Sequence, residues 1–248
     1  MPSIEAIIGR LDALLKPQSF EDYCPNGLQV PGPSEVATVA TAVSAGLDVF
    51  ERAAAEGAGL VLVHHGLFWD GAPRALDVPA KRRLEALFRH DIALAAYHLP
   101  LDAHPEHGNN ALLAEALGAE LTHPFDVGFA ARFEGDGIAP GELVERVREA
   151  VGGREPLALL HGPERVRTIG IVSGAAQSRL PTAIAEGLDA FLTGECSERN
   201  FNEAREGGIH FLAAGHAATE TLGVRRLGDL LAAELGLRHV FLDVPNPI

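Results

Sequence analysis

Five side chains of this 248-residue chain have the types and positions expected of ligands to a transition metal. Three are imidazoles, two are carboxylates and none is a thiolate: His64, His65, Asp102, His216 and Glu220. Imidazole and carboxylate together suit zinc, manganese, iron, cobalt or nickel. Five ligands are too many for a single tetrahedral catalytic ion, because such an ion keeps one position open. The set instead fits two divalent ions that share a bridging carboxylate.

The spacing of these residues indicates how each would be presented. His64 and His65 follow the apolar run GLVLV, and the carboxyl ends of strands are where α/β sheets place ligands. A turn at Gly66 would let the two neighbouring imidazoles diverge around a shared centre. His216 and Glu220 are spaced i, i+4 and share a face if GHAATE begins a helix. For that reason we expect Glu220 to be the bridging carboxylate.

Each part of this constellation also has an ordinary structural interpretation. An adjacent histidine pair alone is more often one core residue and one exposed residue, and His216 with Glu220 can be a surface pair. Asp102 adds a hard anionic oxygen just past Pro100, which would end the preceding strand. The combination of all five residues, rather than any one of them, predicts the metal site.

Two further residues, His98 and Glu195, are candidates for proton transfer. His98 has two other interpretations, as a sixth ligand or as a group that supports one, and Pro100 after it argues for a local backbone unlike that at His216. Cys24 and Cys196 lack CxxC spacing, so we expect thiols, with Cys24 packed at the rim of the site. The other histidines are interpreted as loop, structural or exposed residues: His90, His104, His107, His123, His161, His210 and His239.

The sequence segments that must position these residues occur twice along the chain, as an internal repeat. TVATAVSAGLDVFERAAAEGAGLVLVHHG, residues 38–66, matches TIGIVSGAAQSRLPTAIAEGLDAFLTGE, residues 168–195. Each reads as strand, helix and strand, an order that favours a parallel, right-handed crossover, although all such units look alike to some degree. IALAAYHLPLD and HFLAAGHAATE then match at an offset of 118 residues, so a strand runs into His-x-x-x-acid twice. The sequence predicts one α/β domain of two related lobes packed together, approximately residues 1–124 and 125–248.

Composition and charge limit the partners of the protein. A net charge of −14 would repel a nucleic-acid duplex, whereas metal ions are attracted. No apolar run reaches the roughly 18 to 20 residues of a membrane span. The first residues carry Glu5 and Asp12 within an amphipathic pattern, which is typical of a first helix and not of a signal peptide. We expect a cytoplasmic protein that acts on a small molecule, with a further helix at about residues 141–151.

Five segments resemble, in order and over nearly the whole chain, the Nif-three-like family of dinuclear metal-centre proteins: YCPNGLQV, LVHHGLFW, YHLPLDAHPEHGNN, FLTGE and AAGHAATE. Bacterial members often carry the name GTP cyclohydrolase 1 type 2 homologue. The resemblance implies two intertwined α/β lobes, two divalent ions per subunit and a ring-like homohexamer with its metal sites facing the interior. It places the ligands at the adjacent histidines, the Asp of HLPLD, and the His and Glu of GHxxTE, which are the same five residues.

The resemblance also implies an activity, hydrolysis by metal-activated water. GTP would be the substrate, with water attack on the imidazole ring of guanine, ring opening and loss of formate. Two alternatives stay open, a dinuclear phosphoesterase and a non-enzymatic hexamer that stores metal or serves as an interaction scaffold. Residues 173–178, SGAAQS, offer either an anion site at a helix start or a plain turn. Asn202 stands where close relatives often carry a histidine, which weakens any scheme that needs one there, and the long insertion of larger members is missing.

Overall fold

The computed structural model describes all 248 residues, and the chain divides into two compact units. The first unit comprises Met1–Leu101 and Gly223–Pro245, and the second comprises Asp102–Leu222 and Asn246–Ile248. Each unit contains one β-sheet and several helices, which confirms the α/β class. The assignment of lobes to residues 1–124 and 125–248 stays a prediction about the repeat. No helix has both the length and the apolar character that a membrane crossing requires.

The chain forms eleven strands and ten α-helices, with two short 3-10 turns at Pro17–Ser19 and Gln177–Arg179. The strands are β1 (Gly27–Val30), β2 (Thr38–Ser44), β3 (Leu60–His65), β4 (Ala93–Ala96), β5 (Glu120–Phe125), β6 (Gly128–Arg132), β7 (Leu157–Leu160), β8 (Thr168–Ile171), β9 (Ala190–Thr193), β10 (His210–Ala213) and β11 (Arg238–Phe241). The helices are α1 (Ile4–Leu15), α2 (Leu47–Ala55), α3 (Val78–Arg89), α4 (Leu99–Asp102), α5 (Asn109–Leu117), α6 (Pro140–Ala150), α7 (Leu180–Ala185), α8 (Asn200–Gly207), α9 (His216–Thr219) and α10 (Thr221–Leu235).

Two helices expected outside the repeated segments are present. In α1 the buried residues recur with helical spacing at Ile4, Ile7, Leu11 and Leu15, and the Ser3 side chain caps the helix by accepting from the amide of Ala6 at 3.2 Å. The helix predicted at about residues 141–151 is α6. The local pattern of apolar and polar residues was therefore sufficient to predict both helices.

The first unit is built on a five-stranded sheet in the order β1-β4-β3-β2-β11. All neighbours are parallel except β1, which pairs antiparallel to β4. Leu60 and Leu62 of β3 pack in one cluster with α1 and α10, whereas Val61 and Val63 pack in another with α2 and α3. Because successive side chains of a strand face opposite ways, burial on both faces explains why β3 is a continuous apolar run. That core fixes the position of the last two residues of β3, the adjacent histidines.

The second unit repeats this arrangement with a six-stranded sheet in the order β5-β6-β8-β9-β10-β7. Strands β8, β9 and β10 are mutually parallel, and β7 is antiparallel to β10 as β1 is to β4. Leu192 of β9 packs with α5 and α6, and Phe191 packs with α7 and α8. The duplicated strand–helix–strand unit predicted from the sequence is confirmed.

The structural repeat begins earlier than the sequence comparison detected. Strands β1 and β7 stand at the same offset of 130 residues as β2 and β8. Between them, Gly32-Pro33 recurs as Gly162-Pro163. This dipeptide was the available signal, but two identical residues outside an apolar run are too few to detect without the strands around them.

Strand pairing also corrects the offset of the second repeated segment. Leu60 of β3 pairs with Ala93, and its counterpart Ala190 of β9 pairs with His210. The third parallel strands of the two repeats, β4 and β10, therefore correspond at an offset of 117 residues. This is one less than the 118 indicated by the match between the two sequences. As a consequence, His98 does not correspond to His216.

The expectation that Pro100 makes the backbone after β4 unlike that after β10 is correct just before the short helix, where Gly215 has φ of +98° and neither Tyr97 nor His98 has a positive φ, but the order of elements is the same. In both units the strand ends, two residues follow, and a four-residue helix begins, as α4 or α9. Pro100 is the second residue of α4. A proline in the first turn of a helix costs little, because the amides there have no partner within the helix.

The repeated glycine before the first parallel strand is required by close backbone approach. A Cβ on Gly32 would lie 2.3 Å from the amide nitrogen of Ala93, and one on Gly162 would lie 2.8 Å from that of His210. Both contacts are with the first residue of the third parallel strand. The same sterics thus recur at equivalent places in the two units.

We expect Gly32→Ala to lower the free energy of unfolding by about 1–3 kcal/mol, the usual cost of overpacking. Gly9→Ala is the matched control, because Gly9 lies inside α1 and a Cβ added there would have nothing within 4 Å. That change should raise stability by about 0.5–1 kcal/mol through helix propensity. Urea unfolding followed by circular dichroism measures both, and equal midpoints for the two variants would contradict the steric argument.

Candidate metal centre

Three imidazoles lie together in the first unit, two at the carboxyl end of β3 and one just after the end of β4. We call His64, His65 and His98 the imidazole group, and their ligand nitrogens lie within 4.8 Å of one another. The ring centroids of His64 and His65 are 4.5 Å apart, and those of His64 and His98 are 4.9 Å apart. His64 is fully buried and His65 is partly exposed. The prediction that the adjacent histidines end a strand is confirmed, since β3 ends at His65.

The adjacent histidines are oriented by bonds to their Nδ1 atoms. Nδ1 of His64 donates to the carbonyl oxygen of Tyr97 at 3.0 Å, because a carbonyl can only accept. Nδ1 of His65 contacts the Ser44 hydroxyl at 3.0 Å. With Nδ1 engaged in this way, Nε2 is the nitrogen that would ligate a metal.

The turn that follows these histidines is held by a glutamine from β1. The Gln29 side chain accepts from the amide of Leu67 at 2.9 Å and donates to the carbonyl of Pro25 at 2.8 Å. A Cβ on Gly66 would lie 2.3 Å from that side-chain amide. The chain bends at Leu67, directly after Gly66, and any side chain at position 66 would have to displace that of Gln29.

His98, the third imidazole, is held by a buried carboxylate that the sequence analysis missed. Nδ1 of His98 donates to Asp22 at 2.9 Å, and the Asp22 side chain is only 3% exposed. Asp22 also accepts from the side chain of Asn26 at 2.9 Å and from the amide of Leu99 at 3.0 Å. Burial by itself raises the pKa of Asp22, but the hydrogen bonds from His98 and Asn26 outweigh it and hold the pKa at about 2.

Cys24 lies beside this carboxylate as a packed thiol, as the sequence predicted. It is buried, and its Sγ donates to Asp22 at 3.6 Å. No disulfide joins it to Cys196, which is exposed. Asp22, Cys24 and His98 also have ligand atoms within 4.8 Å of one another, but their mutual hydrogen bonds account for that cluster.

The folded pKa of Asp22 predicts a stability contribution that acid removes. A carboxyl with a pKa of about 2 in the fold and 3.8 in the unfolded chain stabilises the fold fully above pH 3.8 and loses that contribution as pH falls through 2. We expect the stability difference between the wild type and Asp22→Asn to be constant near neutral pH and to shrink between pH 4 and pH 2. Urea unfolding across this range is the measurement, and a difference that persists unchanged at pH 2 would contradict an ionised Asp22.

Three donors lie together in the second unit, and we call Asp102, His216 and Glu220 the acidic group. Nε2 of His216 lies 3.4 Å from Oε1 of Glu220, which confirms that the i, i+4 pair shares one side. Asp102 and Glu220 have carboxylate oxygens within 4.8 Å of each other, and both residues are buried. Two buried carboxylates this close repel each other unless a cation or a proton compensates them.

Asp102 and His216 are each positioned by a polar partner. One oxygen of Asp102 accepts from the Asn109 side chain at 2.9 Å and from the Ser173 hydroxyl at 3.1 Å. Nδ1 of His216 lies 2.6 Å from Oε1 of Glu195. Donation from Nδ1 to this carboxylate leaves Nε2 as the ligating nitrogen, as in carboxylate–histidine–metal arrangements. Glu195, a predicted proton carrier, is thus in contact with a predicted ligand.

The internal repeat relates Glu195 to a residue of the first unit. At the offset of 130 residues that relates β3 to β9, Glu195 corresponds to His65. The same strand-end position therefore carries a predicted ligand in one unit and the residue that orients a predicted ligand in the other.

The SGAAQS turn packs against the acidic group, and three of its six amides are engaged by protein side chains. Its amides donate to protein side chains: that of Ser173 to Asn110 at 2.7 Å, that of Gly174 to Thr219 at 3.1 Å, and that of Ala176 to Thr193 at 3.1 Å. These bonds favour the plain strand-to-helix turn over an anion site. Gly174 has φ of +66°, and a Cβ there would lie 2.3 Å from Oε1 of Glu220, so only glycine leaves room for this carboxylate.

The other polar residues singled out from the sequence lie elsewhere. His104 and His107 stack in a loop at 4.9 Å, His210 bonds to the carbonyl of Pro163, and His123 is an exposed partner of Glu186. Asn202 is exposed on α8. It accepts from Arg205 at 3.1 Å.

The donor chemistry of both groups fits a metal ion, and the structure thus contains clustered His, Asp and Glu side chains that can hold one. Every histidine in the two groups has its Nδ1 engaged by a protein oxygen, at His64, His65, His98 and His216. A set of purely structural histidines has no reason to share one orientation of this kind, whereas ligation through Nε2 supplies one.

Comparison with known proteins agrees with these features. The model of the Duf34/NIF3 (NGG1p interacting factor 3) family matches residues 2–247. A Pseudomonas aeruginosa protein named GTP cyclohydrolase 1 type 2 homolog is 42% identical over 250 residues, which cover 99% of this chain and 98% of the relative. A solved structure described as protein ybgI, of unknown function, has 38% identity and a TM-score of 0.95 over 100% of both chains. That of TTHA1606 from Thermus thermophilus has 40% identity and a TM-score of 0.93, also over 100% of both. The chain therefore belongs to the Duf34/NIF3 family.

Proposed function

We propose that the protein is a metal-dependent hydrolase with a dinuclear centre. Its ligands are the five residues His64, His65, Asp102, His216 and Glu220. The observation that carries this proposal is the pair of buried carboxylates, Asp102 and Glu220, with oxygens within 4.8 Å of each other. Two such carboxylates favour binding of a cation, and the imidazoles oriented for Nε2 ligation supply the remaining donors.

Two glutamates would have distinct tasks in this centre. A bound pair of divalent cations supplies Lewis acidity and lowers the pKa of water. Glu220 is the proposed bridge, because it is buried and lies beside His216. Glu195 holds the ring of His216 in place through Nδ1, so we assign it an orienting role ahead of proton transfer.

His98 is the proposed proton carrier. Asp22 accepts from its Nδ1, and the pKa of about 2 keeps this carboxylate ionised at neutral pH. Nε2 of His98 is then the atom that exchanges a proton with the substrate. The neighbouring rings of His64 and His65 place it beside two predicted ligands.

We propose GTP as the substrate, in keeping with the name carried by relatives about 40% identical to this chain. Addition of one water to the five-membered ring of guanine opens it, and a second water releases formate. The test is formate release from GTP by the metal-loaded protein, run beside a panel of phosphoesters. Formate release supports the proposal, phosphoester cleavage alone replaces it with a phosphoesterase, and absence of any turnover favours metal storage or an interaction scaffold.

We further propose a cytoplasmic homohexamer, on the resemblance of the five sequence segments to the Nif-three-like family. Sedimentation of the purified protein at the mass of six 26.2-kDa chains is the expected result. A monomer or dimer at micromolar concentration would refute it.

A further inference from the structure

Two aromatic rings flank the imidazole group in the first unit. The centroids of Tyr23 and Trp69 are 6.0 Å apart, and their planes differ by 33°. Both rings meet His98 nearly edge-on, at 5.1 Å for Tyr23 and 5.2 Å for Trp69. Trp69 also lies 5.8 Å from His65. The pair therefore adjoins the proposed proton carrier and a predicted ligand.

Core packing does not explain this pair. Tyr23 is 54% exposed, and Trp69 is only partly buried. Both rings are nevertheless held on defined turns, since the amide of Asp70 donates to the carbonyl of Tyr23 at 2.8 Å and Nε1 of Trp69 donates to the carbonyl of Gly66 at 3.2 Å. Exposed aromatic rings on an ordered backbone lose little freedom when a ligand binds.

We propose that Tyr23 and Trp69 form a stacking site for a planar heteroaromatic ring, a nucleobase in chemical class. Aromatic side chains bind bases through their π-faces, and such stacking needs no charge on the protein. This suits a chain with a net charge of −14, in which recognition of a ring is less opposed than recognition of an anion. The inference rests on the proposed function in that it names the ring-binding part of the same site, next to His98.

Fluorescence tests this site directly, because Trp69 is the single tryptophan of the chain. The metal-loaded, full-length protein is titrated with guanosine, with adenosine and with inorganic tripolyphosphate. We expect saturable quenching by a nucleoside and none by tripolyphosphate, which has no ring. Quenching by tripolyphosphate alone would overturn the proposal. So would tryptophan emission that depends on protein concentration but does not respond to either nucleoside.

Substitutions separate stacking from other contributions. Tyr23→Ala should raise the Kd for the nucleoside by about five- to a hundredfold, the range expected for loss of one stacked ring. Tyr23→Phe keeps the ring and should stay within about twofold of the wild type. Phe88→Ala is the matched control, because Phe88 is an aromatic residue of α3 that is 64% exposed, and it should change nothing. Equal Kd values for Tyr23→Ala and the wild type would refute the stacking site.

Failure of this inference is distinguishable from failure of the proposed function. Nucleoside quenching without formate release keeps the ring site and rejects the cyclohydrolase reaction. Formate release by Tyr23→Ala with an unchanged KM for GTP rejects the ring site and leaves that reaction standing.

Discussion

We expect the protein to carry close to two metal equivalents per chain, and we expect Glu220→Ala to remove most of one or both. The affinity should fall by more than the roughly 10- to 100-fold that loss of an outer partner costs, because a ligand itself is lost. Elemental analysis after dialysis against a metal buffer measures the effect. Glu186→Ala is the matched control, since Glu186 also forms a His–Glu pair in the second unit, with His123 at 3.3 Å, but an exposed one.

The metal-free form supplies an independent check on the same residue. Without a cation, Glu220 and Asp102 are two buried carboxylates that repel each other. Glu220→Gln should therefore leave the Tm of the metal-free protein unchanged or raise it, while it lowers the Tm gain that added metal produces. Unchanged metal occupancy in both Glu220 variants would show that the ligand assignment is wrong.

His98→Gln is expected to reduce kcat for the proposed release of formate from GTP by about 10²- to 10⁴-fold, the usual contribution of a positioned proton donor or acceptor. Metal content should stay near that of the wild type, because His98 is not among the five proposed ligands. Asp22→Asn should produce a smaller reduction together with a shifted pH–rate profile, since it changes the partner of Nδ1 and not the imidazole itself. His123→Gln, an exposed histidine, serves as the control.

Metal content decides between two roles for His98. Loss of metal in His98→Gln, in parallel with loss of activity, would make it a sixth ligand and contradict the assignment as proton carrier. Full activity in the variant would remove it from the reaction altogether.

The sequence predicted the parts of the fold that depend on long apolar patterns. Strand β3 and its counterpart β9 are buried on both faces and read as continuous apolar runs. The adjacent histidines could be placed at a strand end for that reason. Helical spacing in α1 and α6 was equally visible, since each buries one side over about three turns.

Short, antiparallel and polar features escaped detection for physical reasons. Strands β1 and β7 have four residues each and only partly buried patterns, so their pairing depends on neighbours distant in sequence. The one-residue error in the second repeat arose because matching letters do not fix strand register, whereas pairing does. Asp22 lies in an irregular turn, and nothing in its surroundings predicts that a histidine 76 residues later donates to it.

The left-handed backbone at Gly174 limits which substitutions this position can accept during evolution. The position holds no reactive atom, yet its missing side chain is what makes room for the Glu220 carboxylate. In a saturation library selected for metal retention, glycine alone should survive at 174, even though the residue touches no cation. Intolerance to substitution at residue 174 would then reflect the space that the Glu220 carboxylate needs, and not a functional group at residue 174.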